Sequence, residues 1–163
     1  MERGPEPSEE PAGPPRFLLD AMLGRLATWL RLLGYDAVYS QAEDAVLLRQ
    51  SREEGRILLT RDTRLLRRRE LPPHLGIESD HVAEQLRQVV QALRLDVRVP
   101  RARRCARCNA PLSPQSKAEV AGRVPDFIFG HHAEFWGCPT CGRIYWAGSH
   151  RQHMDARIHA LAP

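Results

Sequence analysis

The sequence predicts an α/β fold, a parallel sheet flanked by helices, followed by a small module organised by four cysteines. Three observations carry this reading. Short apolar runs alternate with amphipathic stretches at helical spacing from residue 16 to about residue 96. Two of those runs, "RFLLD" and "RILLTRD", stop abruptly on an aspartate. After a basic stretch near residue 100, all four cysteines arrive as two C-x₂-C pairs.

Taken in order, residues 16–19 form the first strand. In "AMLGRLATWLRLL" (21–33), Met22, Leu23, Leu26, Trp29, Leu30 and Leu33 recur at helical spacing, and Gly34 supplies the stop. "YDAVYS" (35–40) is a second strand, and "EDAVLLRQSREEG" (43–55) a second helix closed by glycine. "RILLT" is the third strand, and "RDTRLLRRRE" a short basic helix that ends before Pro72 and Pro73. "LGIES" reads as a fourth strand, and "DHVAEQLRQVVQALRL" (80–95) as an amphipathic helix. Strands and helices in strict alternation favour a parallel sheet covered on both faces.

The domain plan that results has five parts. Residues 1–15 are a disordered tail, because five prolines and four acids without an aliphatic run cannot bury enough surface to offset chain entropy. The α/β domain spans 16–96, a basic linker 97–104 and the cysteine module 105–148. Residues 149–163 form a terminal helix or tail, with Ser149 as its cap.

Formal charge is +4, but the tail holds four acids and one base, so the remainder carries +7. Nearly all of its bases are arginine, a side chain that pairs bidentately with phosphate; a genome rich in arginine codons explains the same composition. The tail lacks the basic and apolar regions of a signal peptide. No stretch approaches eighteen apolar residues, so a soluble, cytoplasmic protein without membrane contact is expected. A P-loop, a G-x-S-x-G elbow and the late lysine of a phospho-acceptor domain are all missing.

An acid follows every strand. Asp20 follows the first, Asp44 (with Glu43) the second, Asp62 the third and Asp80 the fourth. In an open parallel sheet ligands bind outside the carboxyl ends of the strands. Four carboxylates converging there repel one another unless a cation lies between them, and Mg²⁺ or Mn²⁺ favours such oxygen ligands. Each aspartate also lies near a helix start, and any one of them alone reads as an N-cap before it reads as a ligand. Arg61, Arg64 and Arg68, at i, i+3 and i+7, form a stripe beside Asp62 that Arg67 and Arg69 widen, while Arg25 and Arg31 lie on the polar side of the first helix. These suit RNA phosphates as a set and solvated surface charge singly.

Cys105, Cys108, Cys138 and Cys141 suit tetrahedral zinc, with Asn109 and Gly142 placed for the left-handed turn of each knuckle. The long spacer, with "KAEVAG" and "DFIFG", is expected to form an extended hairpin. Tyr145 and Trp146 either stack on bases or cover the module's core, the latter favoured for Trp146. His150 could approach the acids, contact an RNA phosphate or cap the last helix; His131, His132 and His153 are read as surface residues.

"LLDAMLGRLATWLRLLGYDA", "EGRILLTRD", "RCARCNAPL" and "CPTCGRIYWAGSH" together resemble the Mut-seven C-terminal RNase family, over about residues 16–155. The resemblance implies a PIN-like nuclease domain fused to a zinc ribbon, with Asp20, Asp62 and Asp44 as metal-binding acids and the four cysteines as zinc ligands. Thr28 stands where the family pattern leads one to expect arginine, and Glu84 is an alternative to Asp80 as fourth acid. The expected activity is metal-dependent cleavage of single-stranded RNA. The rivals are a non-catalytic RNA- or ribosome-binding protein and a toxin-type ribonuclease.

Overall fold

A computed structural model describes residues 13–148 together with Ala156 and Ala160. Most of the expected disordered tail and the terminal helix with Ser149, His150 and His153 lie outside the described residues.

Four short strands, β1 (Phe17–Leu19), β2 (Ala37–Tyr39), β3 (Ile57–Thr60) and β4 (His74–Gly76), form a parallel sheet in the order β2-β1-β3-β4. Three helices cover it: α1 (Gly24–Leu32), α2 (Asp44–Glu54) and α3 (Val82–Ala92). The unbroken apolar runs follow from this two-sided cover. Phe17, Leu19 and Leu59 pack on one face with Leu26 and Leu30 of α1 and Leu86, Val89 and Val90 of α3. Leu18 and Leu58, pointing the other way, pack with Leu47 and Leu48 of α2. Each fully buried leucine contributes about 1.5–3 kcal/mol.

Helix stops are chemical as well as steric. Gly55 ends α2 in the left-handed region (φ 61°). Gly34, at φ 87°, carries a second constraint: a Cβ there would lie 2.5 Å from Cβ of Arg101, so the 97–104 segment packs directly on this turn. That segment is therefore no free tether. The Arg101 guanidinium lies 4.3 Å from the Tyr35 ring centre.

Three local expectations are corrected. Met22 precedes α1 and is 60% exposed, not part of its apolar face. After β3 the basic segment makes only a single 3₁₀ turn, Leu65–Arg67, and Arg68 is already extended (φ −69°, ψ 145°); consecutive arginines and the prolines beyond oppose a longer helix. The i, i+3, i+7 stripe therefore has no helix to form on. The fourth strand begins at His74, so Asp80 stands well beyond its end.

The cysteine module holds β5 (Ser113–Gln115), β6 (Phe135–Gly137) and β7 (Ile144–Trp146), antiparallel in that order. Between β5 and β6 lie two short helices, α4 (Lys117–Val120) and α5 (Asp126–His131), where a long hairpin was expected. A capping box explains α4: Ser116 Oγ accepts from Glu119 N while the Glu119 carboxylate accepts from Ser116 N. Val120, Val124 and Phe135 make the small core, covered by Trp146.

Candidate functional site

The chain leaves β1 towards β2 on one side and takes up β3 on the other, with α1 and α2 on opposite faces. The topological switch point, where open α/β sheets place ligands, therefore lies between the carboxyl ends of β1 and β3. Asp20 and Asp62 are there. Asp20 is only 6% exposed. Its Oδ1 accepts from Met22 N at 3.0 Å, and its Oδ2 accepts from Thr60 Oγ1 and from Arg61 N at 3.3 Å. Thr60 Oγ1 in turn accepts from Asp62 N at 2.9 Å, so one fully buried hydroxyl ties the two acids together. Asp62 Oδ1 accepts from Arg64 N at 2.8 Å and Leu65 N at 3.3 Å, capping the 3₁₀ turn. Among the described residues, no ion pair involves either carboxylate.

The other two acids are engaged elsewhere. Asp44, at the start of α2, meets Arg68 Nη2 at 3.2 Å, an exposed pair. Asp80 is exposed and faces His81 at 3.6 Å, while Glu84 accepts from Ser79 Oγ. No three of these carboxylates come within 4.8 Å of one another, so the four-acid convergence does not form as a direct ligand set. Arg25 and Arg64 are exposed and Arg61 half-buried. Arg31 is not: it is 7% exposed and hydrogen-bonded to three carbonyls, which corrects its placing among the RNA ligands. His150 lies outside the described residues.

The four cysteines do converge. All four sulfurs lie within 4.8 Å of one another, the one such cluster of His, Cys, Asp and Glu among the described residues. Cys105 and Cys141 sulfurs are 3.6 Å apart, and those of Cys108 and Cys138 3.4 Å. Tetrahedral zinc with Zn–S bonds near 2.3 Å spaces its sulfurs about 3.8 Å apart, so the donor set fits that ion. The knuckles match in detail: the first cysteine's carbonyl accepts from Asn109 N at 2.9 Å and from Gly142 N at 3.0 Å, both residues lying at positive φ. Electrostatics also calls for a cation. Burial works against the Cys105 thiolate, but the Tyr145 hydroxyl (3.1 Å) and backbone N–H groups outweigh it and hold the thiol down to about 6. At Cys108 a hydrogen bond at Ala110 favours ionisation, yet burial and the three neighbouring sulfurs push it up to about 12.

The sequence model of the Mut7-C RNAse domain matches residues 15–158, nearly the whole chain. The chain belongs to that family. Its function is accordingly of ribonuclease type, with RNA as the implied substrate and a four-cysteine cluster suited to zinc. No curated protein and no solved structure matches it. No described helix is long and apolar enough to cross a membrane.

Within this Mut7-C RNAse domain, sequence reasoning missed a buried polar network at the opposite, amino-terminal end of the sheet. Arg56, 8% exposed, donates to Asp36 Oδ1 at 2.7 Å and Oδ2 at 3.3 Å, to Phe17 O and to Glu54. Asn109 Nδ2 donates to the same Asp36 Oδ1 at 2.7 Å. Burial opposes Asp36 ionisation, but Arg56 and Asn109 outweigh it and hold the carboxyl below its ordinary value. Only the Asp-Ala and Glu-Gly-Arg steps before β2 and β3 hinted at this charge pairing. Thr60 was equally hidden, since a threonine closing a strand carries no signal of its own.

Proposed function

We propose that the chain is a metal-dependent ribonuclease that hydrolyses single-stranded RNA at the β1–β3 switch point. The observation that carries this reading is the buried Asp20 carboxylate, locked through Thr60 to Asp62 at the sheet position where ligands bind, in a chain of a ribonuclease family. Asp20 and Asp62 would hold Mg²⁺ or Mn²⁺, with Asp44 joining them once it leaves its exposed pair with Arg68. Hard ions of this kind keep several waters, so a pair of fixed carboxylates with a third nearby suffices. Asp80, exposed beyond β4, has no part in this arrangement. When bound, the ion offsets the charge that builds on the phosphodiester during attack. The chain's own residues do the rest. Thr60 and Arg61 N fix the Asp20 carboxylate, the Asp62 turn fixes Oδ1 of that side chain and leaves Oδ2 for the ion, and Arg25, Arg61 and Arg64 would hold phosphates on either side of the scissile bond. Hydrolysis leaves a 3′-hydroxyl and a 5′-phosphate. The four cysteines hold a structural zinc.

The test is metal add-back on the zinc-loaded protein. End-labelled single-stranded RNA should stay intact without Mg²⁺ or Mn²⁺ and be cut when either is added, with its duplex counterpart spared. Cleavage that persists without added metal, or that needs a free 2′-hydroxyl and leaves a cyclic phosphate, contradicts the proposal. Thr60→Val keeps the side chain's shape but removes both hydrogen bonds. It should raise the Mn²⁺ concentration for half-maximal cleavage by about 10–100-fold, with Thr60→Ser close to wild type.

A further inference from the structure

The outer edge of the nuclease sheet is met at Ala37 by Asn109 of the cysteine module and by Arg31 of α1. β2 is an edge strand, and a strand residue directs its N–H and C=O to the same side, so Ala37 presents both outward. Asn109 Oδ1 accepts from Ala37 N at 3.0 Å, and Arg31 Nε donates to Ala37 O at 2.8 Å. Asn109 directly follows Cys108 and holds the knuckle's left-handed turn at φ 69°. Arg31 Nη1 reaches the carbonyls of Ala106 and Arg107, the two residues between Cys105 and Cys108, at 3.0 and 2.9 Å.

Arg31 thus belongs to α1 by sequence and to the first knuckle by contact. A zinc held by four thiolates carries a net charge of about −2, and a buried guanidinium whose surroundings include the Cys105 and Cys108 thiolates compensates part of it. Its rigid fork also fixes the carbonyls of the knuckle loop, and so the direction in which the two sulfurs point.

We infer that zinc binding and closure of the β2 edge are one linked equilibrium, in which Arg31 and Asn109 are positioning residues: the nuclease sheet completes the zinc site, and zinc in turn fixes the strand beside the one that carries Asp20. This rests on the reading of the cysteines as a zinc site. Zinc loss would then loosen the nuclease half as well as the ribbon, making the enzyme responsive to chelation and to thiol oxidation.

The experiment uses the full chain and two readouts: zinc affinity by competition with a chromogenic chelator, and hydrogen exchange of the Ala37 amide with and without zinc. Arg31→Met should weaken zinc binding by about 10–100-fold, and Arg31→Lys, which restores charge without the fork, by less. Stripping zinc from the wild type should speed exchange at Ala37 while Val89 and Val90 of α3 stay protected. Asn109→Gly, which keeps the turn and needs no folding of an altered helix, should speed Ala37 exchange even with zinc bound. A wild type that takes up zinc, with affinity unchanged in Arg31→Met and Ala37 protection indifferent to zinc, overturns the linkage alone. A wild type that takes up no zinc overturns the zinc reading and the linkage with it.

Discussion

Asp36→Ala should lower stability by about 3 kcal/mol, at the lower end of the range for breaking a buried ion pair. Arg56 would lose both oxygens of its main partner while remaining 8% exposed, and Glu54, still facing its Nε, limits the damage. Asn109 Nδ2 would lose its acceptor at the same time. For a chain of this size the loss corresponds to a midpoint lower by about 6–12 °C, readable by thermal unfolding at neutral pH. The pH dependence has a definite sign. Because Asp36 is held below its ordinary value in the folded state, its contribution is complete above the unfolded carboxylate value, about 3.9, and is lost as the pH falls through the folded one. The gap between wild type and variant should therefore begin to close only below about pH 4, and it should widen back to its full size on returning to neutrality.

Removing zinc should have the larger effect. The cysteine module buries only Val120, Val124 and Phe135 as an apolar core, too few to hold three strands of three residues each without a further constraint. Structural zinc supplies about 10–16 kcal/mol of apparent binding free energy in comparable small sites. A strong chelator, or Cys138→Ser, should abolish the β5–β7 structure. Trp136 and Trp146 lie on β6 and β7, so their fluorescence should shift to that of solvent-exposed indole. The sign with pH follows from competition between zinc and protons for the same thiolates: metal uptake releases protons, so affinity should fall as the solution is acidified. Unchanged tryptophan emission after complete zinc removal would contradict this account of the module.

Much of the fold is legible in local pattern. "FLL" and "ILL" read as strands because both faces of the sheet are covered, and the leucine spacings of α1 to α3 follow from those same two cores. The paired C-x₂-C motifs specify their own convergence. Failures came where tertiary contact overrides local pattern. Arg31 sits at a helix position where a charge normally faces water, yet three carbonyls from two separate segments draw it inside. The network of Asp36, Arg56 and Asn109 joins residues 20 to 73 positions apart, beyond any periodicity. "RDTRLLRRRE" has helical spacing, but an aspartate capping its second and third following amides and a run of like charges leave only one turn. One miss was avoidable. The S-x-x-E of Ser116 and Glu119 announces a helix start inside the spacer, where its length alone suggests a hairpin.

The candidate site divides in the same way. The positions of Asp20 and Asp62 were legible because each follows closely on an apolar strand, and the strand order sets β1 and β3 side by side at the switch point. Asp44 and Asp80 fitted the same rule, yet Asp44 pairs with Arg68 and Asp80 stands beside His81 instead. Such exposed pairs are worth little and exchange readily, which is why Asp44 keeps a place in the proposed site.

The most direct test measures single-turnover cleavage and equilibrium binding of one single-stranded RNA, with Mn²⁺ present, for the wild type and Asp20→Asn/Asp62→Asn. Loss of the acid pair should slow cleavage by about two to four orders of magnitude while leaving RNA affinity nearly unchanged, because the arginines proposed to hold the strand are untouched. Equal binding with equal cleavage, or binding without cleavage by either protein, would contradict the acid pair as the centre of catalysis.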